Sequence, residues 1–249
     1  MSCPPLKKAM INLNIDDLKI NHWGILYYYD YDLDNLLIAE KKLIANSEKY
    51  CKTLIDEFKT KIENDAELQA KPKNHEEGSW QAQYYGHYYG HTEKLNNQIL
   101  QNLRKASLLS IFSILEGQLK LISKLVEDEF EFSVKIKHIT GSDYIHKYWL
   151  YLTRVFELNP ATVEAEYKLI RQHRIIRNKI AHSNSEIDAS KLPFVEQTEG
   201  LSIKKFGSDN IVEISNDLYI IEIINLIKSF FNKLVKSVDR RYGEMKNVG

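Results

Sequence analysis

Apolar residues recur at Leu36, Leu37, Ala39, Leu43, Ile44, Tyr50, Leu54, Ile55 and Phe58, with charged residues set between them. This three-to-four spacing predicts one long amphipathic helix from about Asp32 into the sixties. Ahead of it, Gly24 and the Asn/Asp cluster of "NHWGILYYYDYDLDN" argue against regular helix. The periodicity stops at Pro72, and the three glycines and tandem repeat "YYGHYYGH" (Tyr84 to His91) that follow predict a loop or short irregular excursion. A second helix is predicted over Lys94 to Asp128. Its centre, with Leu108, Leu109, Ile111, Phe112, Ile114 and Leu115, is apolar on most sides, as in a helix at the middle of a bundle. Glu116 interrupts that run and calls for a partner.

"DYIHKYWLYLTRVFEL" predicts a third helix that stops before Asn159-Pro160, a dipeptide that also suits the cap and first position of a fourth helix ending at His182. A polar loop follows, and "LSIKKFGSDNIVEIS" alternates around Gly207-Ser208-Asp209 as a β-hairpin would. The stretch from Asn216 to Tyr242 predicts a last long helix with a wide apolar face. The fold class is therefore all-α: an antiparallel helical bundle with a long N-terminal helix and a small β-hairpin before the last helix. Residues 1–94 read as an N-terminal helical extension with a Tyr/His-rich loop and 95–245 as the bundle, with no linker long enough to separate them.

Charge narrows the possible partners. Thirty-four basic residues balance thirty-four acidic ones, so any polyanion must be held by a local patch and not by a global field. Cys3 and Cys51 cannot build a disulfide framework, and no Cys/His spacing matches a structural zinc site, so neither a metal nor a cofactor is expected. The N-terminus lacks the apolar segment and small-residue cleavage site of a leader, and "LYIIEIINLI" is broken by Glu222 and too short to cross a bilayer. A cytoplasmic protein with no membrane partner is the expectation.

A local patch does exist, in "RIIRNKIAHSN", Arg174 to Asn184. On a helical wheel with Val163 at zero, Leu169, Ile170, His173, Ile176 and Ile180 fall between roughly 220° and 340°, which predicts the buried face. Arg177 lies toward one edge of that arc. Arg174, Asn178 and His182 form an i, i+4, i+8 row beside it. Between Tyr167 and His182 there are five Lys/Arg and no Asp/Glu, whereas a solvated face would pair lysines with glutamates. The helix dipole also favours cations at this end, so a bland structural origin and a functional one both fit the charge pattern.

Within the patch, "RNKIAH" has an arginine, a polar residue and, after a short spacer, a histidine. It resembles the ribonuclease motif of the HEPN superfamily (higher eukaryotes and prokaryotes nucleotide-binding), with Arg177, Asn178 and His182 matching position by position at the short end of its spacing. The motif sits on the penultimate long helix, and "SILEGQL" resembles a segment in which many members carry a core-side Glu, here Glu116. The resemblance covers roughly residues 95–240 and implies a metal-independent endoribonuclease, acting as a toxin or antiphage effector. It also implies a homodimer with a composite site, products ending in a 2′,3′-cyclic phosphate and a 5′-hydroxyl, and possible control by an antitoxin or regulatory protein.

The residue chemistry suits that role. RNA cleavage without metal needs the 2′-hydroxyl deprotonated, the 5′-oxygen protonated and the phosphorane charge offset. His182 is the candidate acid/base, Arg177 the candidate for holding the scissile phosphate, and Asn178 an orienting hydrogen-bond partner. Arg174 and Lys179 are assigned to the RNA backbone, and Glu116 to fixing Arg177 or Arg174. Two other readings stay open: a non-catalytic module of the same fold that binds RNA or protein, and a basic interface for an acidic partner. The tyrosine repeat could stack bases but more simply packs on the bundle, and His173, on the apolar arc, reads as a core histidine.

Overall fold

The computed structural model describes residues 23–141 and 143–247; Cys3 and the N-terminal segment read above as lacking a leader lie outside them. The chain forms a helical bundle in which three long helices carry most of the core. α1 (Ile25–Glu63) runs antiparallel to α4 (Gly90–Glu129), with Glu40 beside Ser110 and Glu48 beside Arg104. The final helix, α8 (Leu218–Asn247), is antiparallel to α1 as well. Lys228 meets Asp34 at 2.9 Å, and the Trp23 N–H donates to Asp239 Oδ1 at 2.6 Å.

One core unites these helices. Leu33, Leu37 and Ile44 of α1 pack with Leu108, Ile111, Leu115 and Leu119 of α4 and with Ile220, Ile227, Phe230 and Leu234 of α8. The long first helix is thus built into the bundle, and residue 94 falls inside α4. Among the described residues α4 is long and apolar enough to cross a membrane, by length and composition only. Half of its most apolar window is buried in the core, as in a central bundle helix.

Three sequence expectations are corrected. Helix α1 starts at Ile25, not near Asp32, because Gly24 sits at its cap in helical geometry and the Asp residues that follow are tolerated along it. The "YYGHYYGH" stretch is helical. After the short α2 (Ala66–Gln69), α3 (His75–Tyr88) is capped by the Asn74 side chain and runs almost directly into α4, so Gly86 and Gly90 did not break the chain. Tyrosine contacts outweigh glycine's low helix propensity there. The Tyr84 and Tyr89 hydroxyls donate to Asp65 at 3.2 and 2.6 Å, and that of Tyr85 donates to Glu93 at 2.7 Å. Finally, α5 (Tyr144–Leu150) gives way to a π-turn over Tyr151–Val155, where one continuous helix was expected.

A 3₁₀ turn, Pro160–Thr162, capped by Asn159, leads into α6 (Glu164–His182). The polar segment after α6 contains a further short helix, α7 (Leu192–Gln197). The hairpin pairs β1 (Leu201–Phe206) with β2 (Asp209–Ile214), and Gly207, at φ 60°, takes the first position of its two-residue turn. Its base is fastened to the bundle by Gln101, whose side-chain amide exchanges hydrogen bonds with the Ile214 backbone, and by Arg104.

Candidate functional site

Helix α6 is laid against α8 and α4 by Tyr167, Ile170 and Ile176, which are buried. Leu169, placed on the core arc by the wheel, is 46% exposed, because the buried arc is centred nearer Val163 and Tyr167. That rotation moves Arg177 from the edge of the arc toward its middle. The guanidinium therefore faces inward across a gap in the packing.

The gap is a cavity of about 430 Å³. Helix α6 contributes Arg174, Arg177, Asn178 and His182 to its wall; α4 contributes Phe112 and Glu116, and α5 contributes Tyr144 and Ile145. The row read from sequence and the glutamate read from a different helix thus share one cavity. Lys179 does not join them. It points to the other side, where its ammonium pairs with Asp188 at 3.0 Å.

The two arginines differ in what neutralises them. Arg174 is held by Asp143, whose carboxylate also lies 3.4 Å from Arg171 and caps α5 by accepting from the His146 N–H at 2.9 Å. Arg177 has no carboxylate partner among the described residues. Its Nη1 donates to Asn178 Oδ1 at 3.2 Å, and its Nε is buried with no hydrogen-bond partner. A positive group left this way beside a polar cavity is suited to an anion, since a buried donor without a partner is costly. Glu116 is half-buried in the same wall, and among the described residues it forms no ion pair with either arginine. The contact expected from sequence is made by Asp143 instead.

Asp143 is the residue that sequence reasoning missed. Its place before a helical run marks it as a cap, but its reach to Arg174, 31 residues away, leaves no local signal. Behind it, the Tyr167 hydroxyl lies 2.7 Å from His146 Nδ1 and accepts from Arg171 at 3.4 Å, while Trp149 stacks on the Tyr167 ring at 4.1 Å. Burial pushes the Tyr167 phenol up, so it stays protonated as part of this support. These contacts tie α5 to α6, two of the helices that line the cavity.

His182 is exposed and is the last residue of α6. The helix stops there because Asn184 and Ser185 take left-handed backbone, φ 48° and 69°, and the N–H groups of Ser183 and Ser185 both donate to the Lys179 carbonyl at 3.0 Å. The Val212 N–H then donates to the Ser185 carbonyl at 2.9 Å, which ties the turn to β2. The hairpin thus anchors the end of the helix that presents His182. Left-handed backbone costs a non-glycine residue about 1–2 kcal/mol, and the Ser185 hydroxyl is buried without a partner. Ser185→Gly is therefore expected to stabilise the protein by about 1 kcal/mol, raising Tm by a few degrees. An unchanged or lower Tm in a thermal melt would count against strain at this turn.

His173 is a core histidine, as its wheel position suggested. Its ring lies 5.3 Å from that of Phe194 and 5.6 Å from that of Tyr219, with Nδ1 3.3 Å from the Tyr219 hydroxyl. Burial pulls its pKa down to about 4. The unfolded chain, whose histidine titrates near 6.5, then binds more protons than the folded one as pH falls. This contribution is intact above about pH 6.5 and is lost progressively down to about pH 4, by roughly 2–3 kcal/mol. Urea unfolding across that interval should show the loss, and His173→Phe should flatten it.

Other basic residues are paired within the fold. On α8, Lys233 pairs with Glu166, whose side chain is largely buried, and Arg241 pairs with Glu157 at 2.8 Å. Among the described residues no group of three or more His, Cys, Asp or Glu side chains is placed to hold a metal ion, and His87 and His91 belong to no such group. Comparison with family models, with curated proteins and with solved structures finds no match, so the residues of this cavity carry the functional reading.

Proposed function

We propose that this chain is a metal-independent endoribonuclease of the HEPN type, working as a toxin or antiphage effector, with its active centre in the cavity between α4, α5 and α6. The observation that carries the proposal is the Arg177 guanidinium, which among the described residues has no carboxylate partner, on a cavity wall that also holds Asn178 and His182. Arg177 would hold the non-bridging oxygens of the scissile phosphate and offset the charge that grows on them. His182, exposed at the helix end, would exchange a proton with the reacting oxygens. Arg174 would steer the neighbouring phosphate, although Asp143 already neutralises part of its charge. In this proposal two copies of the chain face one another, and their paired cavities form one cleft for the strand.

The test is cleavage of a labelled RNA by purified protein in the presence of a chelator, with the product ends identified. A 2′,3′-cyclic phosphate and a 5′-hydroxyl are expected from the wild type, and His182→Ala should leave the RNA largely intact. Equal cutting by wild type and His182→Ala overturns the proposal. Binding of RNA without any cutting would assign the chain to the non-catalytic module of the same fold.

A further inference from the structure

Cleavage by the 2′-hydroxyl needs two proton transfers, one from that hydroxyl and one to the departing 5′-oxygen, and His182 supplies a single proton-transfer group. The cavity contains a second. Glu116 stands on the α4 wall, half-buried, and among the described residues it has no ion-pair or hydrogen-bond partner. The charged and titratable groups that share the cavity with it are Arg174, Arg177 and His182 on α6 and Tyr144 on α5. Arg174 is paired with Asp143, which neutralises part of its charge. Tyr148, buried on α5 itself, is pushed up first by burial and then by the Glu116 charge, which places the carboxylate near the α5 face of the cavity. One open carboxylate and one open guanidinium thus line a single cavity without pairing with each other.

An unpaired carboxylate on a central helix needs a reason to be there, since α4 buries apolar side chains on either side of it, at Phe112, Leu115 and Leu119. Had its role been to fix an arginine, an ion pair would be in place, as it is between Asp143 and Arg174. Resting on the endoribonuclease reading, we infer that Glu116 is a catalytic residue of that reaction, the general base that activates the 2′-hydroxyl. A Glu116 carboxylate oxygen takes the proton of the 2′-hydroxyl as the 2′-oxygen attacks phosphorus. The phosphorus–5′-oxygen bond breaks, and the protonated His182 imidazole gives its proton to the leaving 5′-oxygen. The products are the 2′,3′-cyclic phosphate and the 5′-hydroxyl, and the enzyme is left with a protonated Glu116 and a neutral His182. Each cavity is then chemically complete, and the second copy serves to hold the strand rather than to lend a histidine.

Two RNAs of one sequence separate the roles, one natural and one with sulfur in place of the scissile 5′-oxygen, a leaving group that needs no proton. On natural RNA, Glu116→Gln should cut about 10²- to 10³-fold more slowly than wild type and lose the acid limb of the rate–pH profile. Sulfur should restore His182→Ala to within about tenfold of wild type but leave Glu116→Gln slow. Glu116→Asp, which keeps the carboxylate, should retain the acid limb at a reduced rate. Matched thermal melts of wild type and Glu116→Gln keep a folding defect from passing as a catalytic one. If sulfur rescues Glu116→Gln, or if its acid limb persists, Glu116 is not the base, although the endoribonuclease reading survives. A wild type inert on both RNAs overturns that reading and this inference together.

Discussion

His182→Ala is expected to cut RNA about 10³-fold more slowly than the wild type while folding normally. The magnitude follows from what a positioned acid or base contributes, about 10²- to 10⁴-fold. The normal folding follows from position: His182 is exposed and ends its helix. Its removal therefore subtracts chemistry without subtracting packing. Arg177→Ala should be comparably slow, because charge stabilisation at the phosphorane is typically worth about 10²- to 10³-fold. It differs in a second readout. Arg177 sits among half-buried groups and its Nε is buried without a partner, so replacing it also removes an unsatisfied donor, and the variant should melt no lower than wild type. Arg177→Lys keeps the charge but loses the planar fork and should recover little of the rate. Full-rate cleavage by either alanine variant would move the active centre away from this cavity.

Much of this site could be read in the linear chain because one helix carries it. Arg174, Arg177, Asn178 and His182 are related by helical spacing, and helical spacing is what a sequence displays most plainly. The hairpin was legible for the same reason, through alternation around Gly207. The parts that escaped depend on contacts between distant residues. Asp143 takes Arg174 because α5 begins beside α6, and nothing in "GSDYIH" records that neighbour. Glu116 was visible as an oddity in an apolar helix, but its freedom from any arginine appears only when Asp143 is in place. The tyrosine repeat misled because Gly86 and Gly90 outweighed its side chains on a local scale, whereas Asp65 and Glu93 bind the tyrosines from outside the repeat. Leu169 misled because the wheel was centred by composition, and the true centre is set by Tyr167 stacking on Trp149.

The largest structural effect is expected far from the cavity, at Arg104. This arginine is 6% exposed. Its Nε and Nη2 donate to the two oxygens of Glu48 at 2.5 and 2.8 Å, and its Nη1 donates to the carbonyls of Ile214 and Ser215, both at 2.8 Å. It therefore joins α1, α4 and the end of β2 at one point. Arg104→Ala leaves a carboxylate with no cation and the Ser215 carbonyl without this donor, while Ile214 keeps Gln101. Breaking a buried pair from one side costs about 3–5 kcal/mol, a large share of the 5–15 kcal/mol that a folded domain typically holds. For a chain of this length each kcal/mol shifts Tm by about 2–4 °C, so a fall of about 10 °C is expected. Glu48→Ala should cost less, because the Glu48 side chain is 23% exposed and Arg104 would keep both carbonyls. The double variant should then be less destabilised than the sum of the two singles, which a double-mutant cycle reads directly. Purely additive losses would mean that the pair is not coupled and that Arg104 acts through the carbonyls alone. Below the melting range, Arg104→Ala should still cut RNA, since Glu116 stands three turns further along α4 and Arg177 lies on another helix. A variant that is slow while still folded would instead show that the hairpin anchor sets the position of His182.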